Sequence, residues 1–234
     1  MSKTLLSEKP GPIGIFDSGY GGLTILKHIR SLMPDYDYIY LGDNARTPYG
    51  TRSFQVVYEY TLQCVTKLFE MGSHLVILAC NTASAKALRT IQQIDLPRLD
   101  ATRRVLGIIR PTVESIGELT QSRHVGLLAT PGTVKSLSYP LEINKLYPDI
   151  KVTGESCPIW VPLVEAGESQ SDGADYFVRR HIDKDRLERR IQQYHRIQPQ
   201  ARFKPGIYFK RTYCLCPRNL SFEQRRCYWL QDRI

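Results

Sequence analysis

The chain has 234 residues, 42% hydrophobic and 24% charged, which is enough for one large or two small globular domains. No apolar run approaches the ~20 residues that span a bilayer, and residues 1–12 contain no continuous apolar segment, so we expect neither a membrane partner nor a signal peptide. The six cysteines are then predicted to be reduced thiols of a cytoplasmic protein.

The net charge of +9 is unevenly distributed along the chain. Residues 1–178 hold 17 Lys and Arg against 18 Asp and Glu, whereas residues 179–234 hold 15 against 5. The positive excess therefore lies in the last quarter of the chain. This asymmetry indicates two stretches of different character.

The first predicted element is a short apolar strand, Ile13–Phe16, followed by Asp17-Ser-Gly-Tyr-Gly-Gly22 and an amphipathic helix to about Leu32. Strand, glycine-rich turn and helix are typical of the start of a βαβ unit. The turn could cradle a phosphate, but the charge of Asp17 would repel one. Asp17 and Ser18 better suit a ligand with an ammonium group, and the alternative is that either one only caps the helix.

The second predicted strand, Tyr38–Leu41, ends in the loop Gly42-Asp-Asn-Ala-Arg-Thr-Pro-Tyr-Gly50. This composition indicates a turn. We expect exposed backbone N–H groups near Tyr49 and Gly50, which could hold a carboxylate without a charged side chain. An ordinary solvated loop is equally consistent. A core-facing helix is predicted over residues 53–71.

A central strand is predicted from Leu75 and runs into Ala79-Cys-Asn-Thr-Ala-Ser84, after which the composition is helical. Cys80 would then lie at a strand-to-helix corner. Ligands bind at the carboxyl ends of strands in open α/β sheets, and a helix N-terminus favours thiolate over thiol. We therefore interpret Cys80 as a candidate base or nucleophile. The alternative is a small buried side chain.

A second series of elements follows, again with small hydroxyl residues after a strand. It comprises a strand at 105–109, a helix at 112–119, a strand at 125–129, the turn Thr130-Pro-Gly-Thr133, a helix at 134–146, a strand near 150–153, an irregular apolar segment at 157–164 and a helix from 173 to 182. Cys157, beside a proline, is interpreted as a packing residue. Two such series predict two similar lobes facing across a cleft.

Four of these motifs together resemble glutamate racemase, within the aspartate/glutamate racemase superfamily. They are Ile13-Gly-Ile-Phe-Asp-Ser-Gly-Tyr-Gly-Gly-Leu-Thr24, Leu41-Gly-Asp-Asn-Ala-Arg-Thr-Pro-Tyr-Gly50, Ala79-Cys-Asn-Thr-Ala-Ser84 and Ala129-Thr-Pro-Gly-Thr-Val134. The resemblance covers residues 13 to about 182, with the motifs in the family's order and at its spacing.

The resemblance implies a cofactor-independent inversion at the α-carbon of glutamate, which supplies D-glutamate for peptidoglycan. In this family two cysteines flank the substrate and exchange the roles of base and acid, and Cys80 matches one of them. The chemistry agrees with the corner position of Cys80, because a weakly acidic α-C–H needs a pre-positioned thiolate. By the same resemblance, Asp17, Ser18, Asn81 and Thr82 would contact the substrate amino end, Tyr49 and Gly50 would hold a carboxylate, and Thr130 and Thr133 would line the other lobe.

The resemblance ends after Ile182. The family's next motif, Gly-Cys-Thr-His-Tyr-Pro, carries the second acid/base cysteine and does not occur in this sequence. Our hypothesis is a change of reading frame between about Ile182 and Asp185. A replacement segment that binds nucleic acid through its arginines is the weaker alternative, since no nucleic-acid motif accompanies the charge. Cys214 and Cys216 are not followed by Thr-His, and their spacing with Cys227 fits no common zinc site.

We therefore predict an α/β protein of two flavodoxin-like lobes with parallel sheets, residues 1–104 and 105–182, with an atypical basic tail over 183–234. We expect a glutamate racemase by family, with no metal and no cofactor, whose racemisation is impaired without the second cysteine motif. The alternatives are an inactive glutamate-binding relative and a racemase for aspartate or another acidic amino acid. The sequence does not determine the oligomeric state, and a homodimer is one arrangement considered.

Overall fold

The computed structural model describes residues 11–182. The predicted tail at 183–234, with its charge and its cysteines, lies outside the described residues. The strands are β1 (Ile13–Asp17), β2 (Tyr38–Gly42), β3 (Leu75–Leu78), β4 (Arg104–Gly107), β5 (His124–Ala129) and β6 (Lys151–Ser156). The helices are α1 (Gly22–Leu32), α2 (Phe54–Glu70), α3 (Asn81–Lys86), α4 (Leu88–Thr90), α5 (Leu96–Leu99), α6 (Ile109–Leu119), α7 (Pro131–Lys135), α8 (Ser138–Leu146), α9 (Trp160–Glu165) and α10 (Asp172–Ile182), with a π-helical turn over Ile91–Asp95.

The first sheet is parallel and has the strand order β2-β1-β3-β4. In its register Phe16 pairs with both Leu41 and Leu78, so the carboxyl ends of β1, β2 and β3 lie at one edge. This confirms the predicted α/β class with parallel strands. The order is that of a flavodoxin-like sheet, in which ligands bind at this edge.

The strand that we expected to open the second lobe belongs instead to the first sheet. Leu75 to Leu78 of β3 pair in parallel with Arg104 to Gly107 of β4. A boundary drawn at residue 104 therefore falls at the start of a strand of the first sheet. Apolar composition indicated a strand there, but composition does not tell which sheet a strand joins. The division into lobes remains a prediction, with its boundary moved beyond Gly107.

The second sheet pairs β5 with β6 in parallel, from His124 with Lys151 to Ala129 with Ser156. Helices α6 and α8 pack on it, and their buried residues include Val113 and Ile143. Two details differ from the sequence expectation. The helix predicted over 134–146 is divided into α7 and α8 by Leu137, which has a left-handed backbone conformation. The segment predicted as irregular contains α9.

Two larger clusters of buried side chains lie beside these sheets. One surrounds β1, β3 and α2 and includes Phe16, Leu68 and Leu78, and the other surrounds β5, α6 and α8. Helix α2 is long enough to cover the first sheet, and the hydroxyl of Ser53 caps it by accepting from Val56 N. No helix among residues 11–182 is both long enough and apolar enough to cross a membrane.

Candidate functional site

Cys80 lies directly after β3, where the chain turns into α3. Its backbone is extended, and its Sγ accepts a hydrogen bond from Ala83 N at 3.4 Å, so that the thiol is the N-cap of α3. The hydroxyl of Ser18, after the neighbouring strand β1, is 3.2 Å from the same Sγ. Parallel pairing of β1 with β3 is what brings the two strand ends together. The corner position that the sequence predicted for Cys80 is confirmed.

Burial opposes the effect of the helix N-terminus on the Cys80 thiol in the unliganded protein. Burial first, and then the charge of Asp17, raise the pKa of the Cys80 thiol to about 11, although the hydrogen bonds from Ser18 and Ala83 act to lower it. The helix N-terminus therefore acts in the expected direction, but desolvation outweighs it. The sequence argument counted the helix and did not count the burial.

Asp17 is buried at the carboxyl end of β1 and turns its carboxylate towards its own glycine-rich turn. Its Oδ2 accepts from Gly22 N at 3.0 Å and from Gly19 N at 3.2 Å. Oδ2 of Asp17 therefore caps the start of α1, as the alternative in the sequence analysis proposed. Burial raises the pKa of Asp17 in spite of these bonds. The carboxyl remains close enough to Cys80 to raise the pKa of the thiol.

Tyr49 contributes to this region through its backbone, because its side chain points into the core. The ring packs between Phe16 and Tyr60, and the hydroxyl donates a short hydrogen bond to Asp43. Tyr49 and Gly50, whose backbone N–H groups the sequence predicted as exposed, are both buried residues. Within residues 11–182, neither N–H finds an acceptor, although Tyr49 O accepts from Arg52 N and Gly50 O accepts from Gly132 N. They are buried donors available to a ligand.

Three threonine hydroxyls join the two halves of the described structure. Thr82 Oγ1 on α3 is 2.9 Å from Thr130 Oγ1 and 3.4 Å from Thr133 Oγ1, and the last two are 3.1 Å apart. Thr130 also caps α7 by accepting from Thr133 N. The three side chains thus form a hydroxyl cluster where the carboxyl end of β5 meets the start of α3.

Asn81 is held by a residue that sequence reasoning missed. The hydroxyl of Tyr139 on α8, itself 2% exposed, donates to Asn81 Oδ1 at 3.0 Å. Because this bond uses the amide oxygen of Asn81, the amide NH₂ is the group that Asn81 can offer as a donor. The sequence showed Tyr139 only as a helical residue, and nothing in its spacing pointed to Asn81, which lies 58 residues earlier.

Two further acidic or phenolic groups lie at the Cys80 end of the site. Tyr40 on β2 donates its hydroxyl to Gly19 O at 2.9 Å and also hydrogen-bonds to Asp17. Glu165, the last residue of α9, packs against Gly19 and accepts from Tyr20 N. Burial and then the charge of Asp17 raise the pKa of both Glu165 and Tyr40. Glu165 directly follows the segment at 157–164 that was predicted as irregular, and no motif in the sequence pointed to it.

The predicted site residues thus follow the carboxyl ends of β1, β2 and β3 in the first sheet and of β5 in the second, and the threonine cluster brings the two sheets' ends together. The Cys80 end offers a thiol, a hydroxyl and buried carboxyls, which suit a cation and a proton transfer. The Gly50 end offers buried N–H groups beside threonine hydroxyls, which suit a carboxylate. A small molecule with an ammonium and a carboxylate matches both ends of this arrangement.

Comparison with known proteins finds close relatives of one kind, while no protein-family model matches the chain. Glutamate racemase of Geobacter metallireducens is 40% identical over 171 residues, covering 73% of this chain and 61% of the relative. Glutamate racemase of Caulobacter sp. strain K31 is 40% identical over 199 residues, covering 78% and 69%. The crystal structure of glutamate racemase from Francisella tularensis in complex with D-glutamate superposes with a TM-score of 0.67 at 34% identity, covering 74% and 63%. The chain spans about three fifths of the length of the first relatives it matches.

Proposed function

The chain belongs to the glutamate racemase family, and from this premise we propose that residues 11–182 carry one half of a site that takes the α-proton of glutamate. Cys80 is the base of this half. Its position at the end of β3, with Ser18 3.2 Å from its sulfur and Asp17 nearby, is the observation that carries the proposal. The relative solved with D-glutamate supports the choice of ligand.

We propose that the ligand lies between the two ends of the site. Its ammonium faces Asp17, Ser18 and the amide of Asn81, and a carboxylate accepts from the N–H groups of Tyr49 and Gly50. Thr82, Thr130 and Thr133 line the site between them, and the proposal needs no metal and no cofactor.

The reaction in this half-site is a reversible proton transfer. The Cys80 thiolate takes the α-hydrogen and becomes a thiol, and the electron pair of the C–H bond stays on the α-carbon as a carbanion. An ammonium next to Asp17 and Cys80 favours the thiolate, because an opposite charge lowers the pKa of an acid. Return of a proton from Cys80 to the same face regenerates the original enantiomer.

Complete racemisation needs an acid on the opposite face, which the family's Gly-Cys-Thr-His motif supplies and which this sequence lacks. We therefore propose little or no inversion by this chain, in a cytoplasmic protein of a family whose role, by the resemblance, is the supply of D-glutamate for peptidoglycan. The three cysteines in the described part are free thiols, which suits a reducing compartment.

The test is exchange of the α-hydrogen of each enantiomer of glutamate in D₂O, followed by proton NMR, with chiral chromatography of the product. The expected result is deuterium incorporation into one enantiomer without inversion, abolished by Cys80→Ser. Binding without exchange would favour the inactive glutamate-binding alternative. Exchange of aspartate in place of glutamate would favour the aspartate alternative. The absence of both glutamate binding and α-hydrogen exchange would refute the proposal.

A further inference from the structure

Lys86 is a buried cation that the proposed reaction does not use. It is the last residue of α3, the helix that begins after Cys80, and its residue surface is 7% exposed. Its ammonium donates a hydrogen bond to Arg52 O at 2.5 Å. Burial lowers the pKa of Lys86, and the nearby positive charge of Lys135 lowers it further. An ammonium kept in such surroundings is costly unless its hydrogen bonds are made.

Gly132 makes room for this ammonium. A Cβ placed on Gly132 would lie 2.6 Å from Lys86 Cε, 2.7 Å from Lys86 Nζ and 2.9 Å from Gly50 O. The backbone N–H of Gly132 donates to the same Gly50 O at 2.9 Å. Three chain segments therefore meet around one ammonium: the loop that follows β2, the end of α3 and the start of α7.

The contact has a direct consequence for the loop that follows β2. Lys86 Nζ donates to Arg52 O, and Gly132 N donates to Gly50 O. These two bonds hold the loop at two carbonyls that are two residues apart. Tyr49 and Gly50 provide the buried N–H groups that lack an acceptor among the described residues. A loop held at these carbonyls keeps both N–H groups in one orientation before a ligand arrives, which lowers the entropy cost of binding.

We propose that Lys86 is a positioning residue, which clamps the loop over residues 43–52 to the end of α3 beside the turn over residues 130–133 and so helps to fix the N–H groups of Tyr49 and Gly50. The clamp itself is independent of the ligand. Its effect on glutamate affinity rests on the proposed function.

The clamp is tested by hydrogen exchange with mass spectrometry on the full chain and on Lys86→Met, which keeps the side-chain length and removes the charge. The matched control is Lys67→Met, because Lys67 is exposed on α2 and pairs only with Glu70 across one helical turn. We expect exchange in peptides over residues 43–53 and 130–137 to quicken about tenfold, from the loss of a charge-assisted bond. In Lys86→Met, peptides of β1 and β3 should exchange at the rate of the parent chain. In the control Lys67→Met, all peptides should do so.

Unchanged exchange in the two loop peptides would overturn the proposal. Equal acceleration in all peptides would also overturn it, since this would make Lys86 a general stability residue. If Lys86→Met does not fold, Lys86→Gln serves as the second variant, because its shorter neutral side chain removes the charged donor and keeps a polar end. It should quicken the same two peptides.

Calorimetric titration with D-glutamate separates the clamp from the function. We expect Lys86→Met to bind D-glutamate about tenfold more weakly than the parent chain and Lys67→Met to bind it equally. Absence of binding by the parent chain would count against the proposed function, while the exchange result would still decide the clamp. Faster loop exchange with unchanged affinity would refute the positioning role.

Discussion

Gly50→Ala is the substitution that tests most directly how the two halves of the site fit together. A Cβ on Gly50 would lie 2.7 Å from both Cβ and Cγ2 of Thr130. Carbon atoms pack at about 3.5–4.0 Å, so the loop and the turn would have to separate by about 0.8 Å or more. The atoms in conflict belong to a branched side chain next to the backbone, and they cannot rotate away as the tip of a long side chain can.

The expected loss of stability follows from this overlap. Overpacking costs about 1–3 kcal/mol, offset by about 0.4–1 kcal/mol because alanine restricts the unfolded chain. For a chain of this size the melting temperature should therefore fall by about 2–8 °C. D-Glutamate affinity should fall further than stability does, because the separation displaces the N–H groups of Tyr49 and Gly50 from the threonine cluster.

The assay is thermal unfolding followed by circular dichroism, with calorimetric titration of D-glutamate. Gly173→Ala is the matched control, since its Cβ would meet only Ser171 Oγ at 3.5 Å, an ordinary contact. Thr130→Gly removes both conflicting atoms, so Gly50→Ala should cost less in that background than in the parent chain. A Gly50→Ala variant that melts and binds like the parent would refute the close packing described above.

Three further predictions concern single side chains. Tyr139→Phe removes the bond that orients Asn81, and D-glutamate affinity measured by titration should fall about 2- to 12-fold, for a bond worth about 0.5–1.5 kcal/mol; unchanged affinity would show that Asn81 needs no such support. The difference in 240 nm absorbance between the parent chain and Cys80→Ser should show a thiol titrating near pH 11 without ligand, and a transition between pH 5 and 8 would contradict the effect of burial. Tyr49→Phe removes a donor from the buried carboxylate of Asp43 and should cost about 1–3 kcal/mol in urea unfolding. Its D-glutamate affinity should hardly change, because the proposed site uses only the backbone of Tyr49, and a larger loss of affinity than of stability would assign the hydroxyl to the ligand.

Much of the fold was predictable because the signals are local. Apolar runs and the breaks after them predicted the strands ending near Phe16, Leu41, Leu78 and Ala129, and parallel pairing brings the polar ends of the first three to one edge. Cys80 could be placed at a corner for the same reason. A strand of one sheet and a strand of another look alike in composition, which explains why β4 was assigned to the wrong lobe.

The contacts across the site were not predictable, because each joins residues that are far apart in sequence and unremarkable in place. Tyr139 is one aromatic residue in a helix, and Lys86 follows a run of small residues where a solvent-exposed charge would fit equally well. Their roles depend on burial, which a pattern of residue types does not supply. Burial also opposes the effect of the helix N-terminus on the pKa of Cys80.

The raised pKa values of three neighbouring acids connect recognition with chemistry in the proposed site. Burial raises the pKa of Asp17, Cys80 and Glu165, and the charge of Asp17 raises the other two further. A cation beside such acids lowers their pKa values and so favours their ionised forms. The α-ammonium of glutamate is such a cation, and beside Asp17 it lowers the pKa of the adjacent thiol. We therefore expect the proposed base Cys80 to be favoured as a thiolate when a ligand with that ammonium is bound, whereas a diacid without it, such as glutarate, should fill the carboxylate end and leave the thiol protonated.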